Sequence, residues 1–255
     1  MTGYDLIGDV HGCRDELVRL LSRLGYEVRS NTEVVVVPAG RTAIFLGDLV
    51  NRGPDTPGVL RLVMSMVEAG TALAVIGNHD VNFVRGLRGE PVEKPAVIAE
   101  TLRQMDSEPA SFRQAAISFI EALPKRLRLD GGNLIVAHAG LPEHHHDSES
   151  AEADQFAVFG KDIPDETGKT VRYRFGPDYQ GRATIVFGHY SDYRAEWVNK
   201  AICIDTGCVY GGSLTALRYP EMELVSVPAA RAYAHTAREP QFRAAATAAD
   251  LSAKT

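Results

Sequence analysis

Gly8-Asp9-Val10-His11-Gly12 lies at the seam between an apolar run, Tyr4 to Ile7, and a segment from Cys13 to Leu24. That segment carries Leu17, Leu20, Leu21 and Leu24 at helical spacing, so the pattern predicts a short buried strand followed by a helix. An Asp and a His two residues apart at a strand's end can bring a carboxylate oxygen and an imidazole nitrogen to one metal ion. Glycines on both sides let the backbone turn sharply while the two side chains converge. One D-x-H alone is weak and reads equally well as a bland loop. Its weight comes from recurrence.

After the turn Pro38-Ala39-Gly40, which separates Val34–Val37 from Thr42–Leu46, the second strand runs into Gly47-Asp48-Leu49-Val50-Asn51-Arg52-Gly53-Pro54. A helix is expected from Thr56 to Ala69, with Val59, Leu60, Val63 and Val67 on one face. The next apolar strand, Thr71 to Ile76, ends in Gly77-Asn78-His79-Asp80. Helices are expected over Pro95–Gln104 and Ser111–Leu123. A hairpin of Arg126–Asp130 and Asn133–Ala137 then turns at Gly131-Gly132 and ends at His138-Ala139-Gly140. Ala183–Phe187 ends at Gly188-His189, and Ala201–Ile204 at Asp205-Thr206-Gly207-Cys208. A closing hairpin, Leu214–Arg218 and Glu223–Val227, turns at Pro220-Glu221. In an open α/β sheet, ligands gather outside the carboxyl ends of the strands. That rule collects Asp9, His11, Asp48, Asn51, Arg52, Asn78 and His79 on one rim. Taken singly, each has an ordinary reading as a helix cap, a turn residue or a solvated cation.

The bounds are those of a globular α/β protein. The chain has 255 residues, 45% hydrophobic and 24% charged, enough for a substantial core in one domain. Residues 1–228 are expected to form that domain, with an inserted lobe at about 141–182 where hydrophobic density drops, a place for substrate choice. The alanine-rich stretch 229–255 is expected to be a tail. A net charge of −6 argues against broad duplex binding, although two divalent ions would offset four of those charges at a site. The three cysteines, Cys13, Cys203 and Cys208, fit neither a disulfide framework nor a zinc motif. No signal-peptide pattern or membrane-length apolar run is evident, so the expectation is a cytoplasmic protein with no membrane association. No obligate protein partner is evident.

Two features invite overreading. His144-His145-His146 reads as an exposed loop rather than a metal tract, since no spaced partner follows. Thr167-Gly168-Lys169-Thr170 resembles the end of a phosphate loop, but Ile163 stands where that loop needs glycine and no strong strand precedes it.

What remains is Asp, His, Asp, Asn, His, His, each at the end of an apolar strand. Hard oxygen and borderline nitrogen donors without thiolates suit Mn, Fe, Zn or a similar ion. Asp48 lies between the two groups and can bridge two ions. Such a pair, about 3.5–4 Å apart, clamps the attacking and leaving oxygens of a phosphoryl group. The residues point to a two-metal phosphoesterase.

The ordered series of Gly8–Gly12, Gly47-Asp48 through Arg52-Gly53, Gly77–Asp80, His138-Ala139-Gly140 and Gly188-His189 resembles the calcineurin-like metallophosphoesterase family. Within it, the runs Ile204–Gly212 and Leu214–Pro220 resemble the phosphatase module of bacterial polynucleotide kinase-phosphatase, a similarity extending over about 4–228. The N-terminal motifs also occur in bacterial dinucleoside tetraphosphatases and serine/threonine phosphatases. The resemblance implies an α/β fold, a two-sheet β-sandwich flanked by helices (αββα). It implies two divalent metal ions, Mn first and Fe, Zn, Ni or Co as alternatives. By motif, Asp9, His11 and Asp48 would hold one ion, and Asp48, Asn78, His138 and His189 the other. Arg52 and Asn78 would bind the substrate's phosphate, and His79 would protonate the leaving oxygen. Asp205 would serve an essential polar role nearby, unless it is a turn carboxylate bonded to backbone amides. The implied reaction is in-line attack of a metal-bridging hydroxide on a phosphomonoester or phosphodiester. Nucleotide or RNA/DNA ends with 2′- or 3′-phosphates are the expected substrates, and dinucleoside tetraphosphates or phosphoproteins the alternative. A binding protein without turnover is the third reading. Tyr173, Phe175, Tyr179 or Tyr190 could stack on a base, though each reads more readily as core.

One residue departs from the family pattern. Asn51 stands where the second motif usually has Asp, whose charge supports a histidine equivalent to His79. An asparagine carbonyl could orient that ring but not stabilise its imidazolium. His79 is therefore expected to be a weaker proton reservoir, which favours good leaving groups.

Overall fold

The computed structural model describes residues 3–29, 35–92, 95–164, 167–192 and 194–235. Along the chain, β1 (Gly3–Ile7) and α1 (Arg14–Arg23) precede a short hairpin of β2 (Glu27–Val28) and β3 (Val35–Val36). Then come β4 (Arg41–Phe45), α2 (Thr56–Glu68), β5 (Ala72–Ala74), α3 (Asn78–Leu87), α4 (Pro95–Asp106) and α5 (Ala110–Ala122). The second half holds β6 (Arg126–Leu129), β7 (Leu134–Ala137), α6 (Ala151–Phe159), and a hairpin of β8 (Asp162–Pro164) and β9 (Thr170–Arg172). It closes with β10 (Thr184–Phe187), β11 (Trp197–Val198), β12 (Ala201–Cys203), β13 (Ser213–Tyr219) and β14 (Glu223–Pro228).

Two five-stranded sheets carry the fold, ordered β14-β13-β1-β4-β5 and β11-β12-β10-β7-β6. β1, β4 and β5 run parallel in the first, flanked by the antiparallel hairpin β13–β14, and β7, β10 and β12 run parallel in the second between the antiparallel edge strands β6 and β11. Successive side chains on a strand face opposite ways, so the apolar runs split cleanly between layers. Leu6, Ile44 and Leu46 of the first sheet meet Leu134, Val136, Val186 and Ile202 of the second, forming the core between sheets. Ile7, Ala43 and Phe45 face the other way, onto Leu17, Leu20 and Leu21 of α1 and Val59, Leu60 and Val63 of α2. On the far side, Ile135, Ala137, Ile185 and Phe187 pack against Phe156 of α6 and against Phe175 and Tyr179. The outcome is the expected αββα sandwich. Near-continuous apolar strands are required because both faces of each sheet are covered.

Helix α2 starts where the sequence sets it. Asp55 accepts the Gly58 N–H at 2.8 Å, and Pro57 occupies the first turn. Helix α3 was not anticipated: it begins on the ligand-like residues themselves, with Asp80 in its first turn. Region 141–182 contains α6 and the β8–β9 hairpin, with Thr170 placed in β9. Past β14, Ala229, Tyr233 and Ala234 pack on the first core, and Tyr233 and Ala230 both donate to Glu16 Oε1 at 2.9 Å. Residues 236–255 of the alanine-rich stretch lie outside the described residues.

The buried carboxylate Asp5 ties the first sheet together away from the strand ends. Arg41 donates to it twice, at 2.7 and 2.9 Å, and Tyr26 once at 2.8 Å. Removing one partner of a buried pair leaves the other charge uncompensated. Asp5→Ala should therefore lower unfolding free energy by about 3–5 kcal/mol in urea titrations. Turnover per folded molecule should be unchanged, and a loss of under about 1 kcal/mol would refute the assignment.

Candidate active site

The loops after β1, β4, β5, β7, β10 and β12 meet at the seam between the sheets. Their backbone is unusual: His11, Asp48, Asn51, Arg52 and His189 all have positive φ, between 47° and 73°. Non-glycine residues adopt this region at a cost of about 1–2 kcal/mol each, and such outliers gather where geometry serves function. Close approach is also built in. A Cβ on Gly188 would overlap the Asp9 carboxylate, and one on Gly77 would overlap that of Asp48.

Asp48 is the centre. Its Oδ1 accepts the His79 backbone N–H at 2.8 Å and lies 3.4 Å from His138 Nε2, while Oδ2 lies 3.5 Å from His11 Nε2. Two groups share it, His11–Asp48–His79 and Asp9–Asp48–His138, with ligand-capable atoms within 4.8 Å of one another in each. The tautomers follow from backbone carbonyls. His11 Nδ1 donates to Val50 O at 2.9 Å and His138 Nδ1 to Leu46 O at 2.8 Å, so each presents a bare Nε2 to the cluster. Asn78 Oδ1 lies 3.1 Å from His138 Nε2 and 2.8 Å from His189 Nδ1, and those two nitrogens are 3.2 Å apart. Asp9 Oδ2 accepts the His189 backbone N–H at 3.1 Å, whereas its buried Oδ1 has no partner.

Such a donor set suits cations. Burial, with Asp205 and Asp48 nearby, pushes the Asp9 carboxyl well above its usual range. Burial also raises Asp48 and Asp80 to about 7 and Asp205 to about 6. The same burial holds His138 down to about 4 and His11 and His189 well below their ordinary value. Neutral imidazoles with lone pairs converging on carboxylates that lack a counter-charge are what hard or borderline divalent ions bind. Asp9, His11, Asp48, Asn78, His138 and His189 all belong to this cluster.

A family model for calcineurin-like phosphoesterases matches residues 4–236. The chain belongs to that family. It is a metal-dependent phosphoesterase. Among its relatives is a "Bis(5'-nucleosyl)-tetraphosphatase PrpE [asymmetrical]" from Geobacillus sp. (strain WCH70). It is 39% identical over 236 residues, covering 90% of this chain and 95% of the relative. A protein of the same description from Bacillus subtilis (strain 168) is 36% identical over 237 residues, covering 90% and 96%. Among solved structures, one of a "putative diadenosine tetraphosphatase" superposes with a TM-score of 0.65 at 28% identity, covering 89% of this chain and 94% of that one. A Saccharomyces cerevisiae serine/threonine phosphatase shares the fold at a TM-score of 0.61, 15% identity and coverage of 94% and 82%.

The remaining polar residues of this phosphoesterase surround the cluster. Arg52 Nη1 lies 3.0 Å from His11 Nε2, and its guanidinium sits over the Tyr210 ring, 5.4 Å from the centroid. Asp205 takes the turn-carboxylate arrangement, Oδ1 accepting Gly207 N–H at 3.1 Å, and it lies close enough to Asp9 to help raise that carboxyl. Asn51 differs from expectation. Its Nδ2, not its carbonyl, faces His79, donating to Nδ1 at 3.2 Å and to the backbone carbonyl at 3.1 Å. That carbonyl can only accept, which fixes the amide's orientation and makes His79 Nδ1 an acceptor. The ring proton of neutral His79 therefore sits on Nε2. The histidine tract is also corrected: His145 is buried, 6% exposed, its ring 5.9 Å from that of Phe156, and His146 is half-buried 5.7 Å from Tyr179.

Two residues were not anticipated in the site. Asp80 accepts Leu49 N–H and Gly77 N–H, each at 2.9 Å, stapling the second motif to the third; its place three residues after Gly77 at a helix start was the available signal. Arg172, from β9, reaches His189 Nε2 at 3.0 Å, and nothing local in the sequence marks it.

The titrations give a test. In metal-free protein the raised carboxyls contribute stability that is complete below about pH 4 and lost as pH rises through about 7. The lowered histidines act oppositely, their contribution being lost as pH falls from about 6.5. Above about pH 6.5 only the carboxyls still titrate, so metal-free protein should lose stability between about pH 6.5 and 8. Mn at a thousandfold its Kd should remove that slope and add about 4 kcal/mol. Thermal midpoints of chelator-stripped and Mn-loaded protein across that range decide it. A flat metal-free midpoint, or no response to any divalent ion, would refute the cluster as a metal centre.

Proposed function

We propose that this phosphoesterase hydrolyses dinucleoside tetraphosphates asymmetrically, adding water across one phosphoanhydride to give a nucleoside triphosphate and a nucleoside monophosphate. One observation carries the reading: relatives described as asymmetrical tetraphosphatases are 39% identical to this chain over 90% of its length and about as much of their own. The arginines agree with it. Arg52 stands 3.0 Å from the cluster-facing Nε2 of His11, and Arg172 stands 3.0 Å from the outward Nε2 of His189. Two guanidiniums flanking one cluster suit a polyanionic phosphate chain better than a single terminal phosphate.

Asp9, His11, Asp48, Asn78, His138 and His189 would hold two divalent ions, Mn first among the candidates. Such ions supply charge neutralisation at the phosphoryl oxygens and acidify water. The chain's own residues do the rest. Asp48 fixes the spacing between the two ligand groups, and Asp80 holds the loops that carry them. Arg52, backed by Tyr210, grips phosphate oxygens on one side and Arg172 on the other. His79 presents Nε2–H to the departing oxygen as a hydrogen-bond donor, because Asn51 donates to Nδ1 and opposes the doubly protonated ring. A phosphate leaving group carries its charge without needing a full proton, whereas an alkoxide needs one. Asn51 therefore favours an anhydride.

Polynucleotide 2′- or 3′-phosphate ends are the second reading, favoured by the resemblance of the runs Ile204–Gly212 and Leu214–Pro220. Stripped enzyme refilled with Mn should be assayed on four substrates: a dinucleoside tetraphosphate, a 3′-phosphorylated oligoribonucleotide, a 2′,3′-cyclic nucleotide and a phosphopeptide. The tetraphosphate should be preferred, yielding triphosphate plus monophosphate. Asp48→Ala should lower the rate by more than the roughly 10–100-fold cost of losing an outer-shell partner. Preference for the oligoribonucleotide would overturn the proposal in favour of end healing.

A further prediction concerns the leaving group. Asn51→Asp places a carboxylate at His79 Nδ1 and should raise turnover of an alkyl phosphate relative to the anhydride by about tenfold, a fraction of the roughly 10²–10⁴-fold that a general acid contributes. An unchanged ratio would remove Asn51 from control of the leaving group.

A further inference from the structure

Beside the cluster lies a cavity of about 280 Å³ outside the second sheet, walled by Phe175, Phe187, Tyr190 and Val198. It borders the metal-capable cluster. The Tyr190 ring stands edge-on to His189, with centroids 4.9 Å apart, so a single aromatic ring separates the two spaces. Arg172 bridges the same boundary, its guanidinium 5.7 Å from the Tyr190 centroid and Nη1 3.0 Å from His189 Nε2. Charges at the mouth come in both signs: Arg174 and Arg194 against Asp192 and Glu196, with Arg174 and Asp192 3.5 Å apart. A balanced mouth does not select a second anion. Aromatic walls with donors and acceptors at the rim suit a neutral heteroaromatic ring with polar edges. The volume, near the lower end of small-molecule sites, fits one such moiety rather than two.

We propose that this cavity is the nucleoside subsite. One base and ribose of the substrate occupy it, and the attached phosphate chain passes Arg172 into the cluster at His189. The inference rests on the nucleotide reading above and adds where the nucleoside sits. The second nucleoside lies beyond the cluster on the Arg52 side and makes no use of this cavity.

Adenosine, which carries no phosphate, should bind the full-length protein saturably in calorimetric titrations with or without Mn, and ribose 5-phosphate should not. Val198 is 41% exposed, so Val198→Phe narrows the cavity from its rim without disturbing the core. That variant should weaken adenosine binding at least tenfold. It should also raise KM for a dinucleoside tetraphosphate at least tenfold with kcat changed less than threefold. Arg194→Glu should raise KM in the same direction. No adenosine binding by the wild type, or an unchanged KM in Val198→Phe, overturns the proposal. A wild type that binds adenosine but does not cleave the tetraphosphate supports the subsite and overturns the substrate reading instead.

Discussion

Three carboxylates, Asp9, Asp48 and Asp205, are buried within each other's electrostatic reach, and bulk water cannot screen them. Burying one unpaired carboxylate is already costly, and each neighbour adds repulsion. The arrangement is sustained either by protons held on the raised carboxyls or by positive charge brought to its centre. Arg52 supplies part of that charge from beside His11 Nε2, whereas Arg172 stands at the outward nitrogen of His189. Neutral imidazoles and the orphaned Asp9 oxygen therefore belong to a cation-binding design, and the rest of the molecule can be understood as what holds that design in place.

The two sheets divide the task. Asp9, His11, Asp48 and Asn78 come from loops on the first, His138, His189 and Asp205 from loops on the second. Distances between ligands thus depend on sandwich packing, through Leu6 and Ile44 against Val136 and Val186. Well-packed cores resist small adjustments, and this rigidity sustains five strained backbone positions at the rim. Asp80 does locally what the core does globally: one carboxylate joins two loops through a pair of backbone N–H groups.

This division explains what was legible in the sequence. Strand ends marked by Gly-Asp, Gly-Asn-His and Gly-His stood out because apolar runs stop abruptly at residues that suit neither core nor helix. Helix α3 did not, because Asn78 and His79 form its first turn and look like loop residues. Arg172 was invisible in principle. Its position depends on how the β8–β9 hairpin meets the loop after β10, a contact that no local periodicity encodes. His145 illustrates the converse, since a polar tract that resembles a solvated loop becomes wall material when α6 packs over it.

Asn51 shows how a single substitution can connect geometry to substrate. In this loop the side chain at position 51 faces two acceptors at once, the His79 ring nitrogen and its backbone carbonyl. An amide satisfies both by donating. A carboxylate could bond the ring only by drawing its proton to Nδ1, and it would set a charged oxygen against the carbonyl. The asparagine is therefore suited to a neutral histidine whose remaining proton points outward, toward the leaving oxygen. A neutral donor stabilises a leaving group that is already content to carry negative charge, such as a nucleoside phosphate, far better than it rescues an alkoxide. In the proposed reaction the position of one amide nitrogen thus favours cleavage between phosphates over cleavage of phosphate from sugar, and the two guanidiniums beside the cluster favour the same choice.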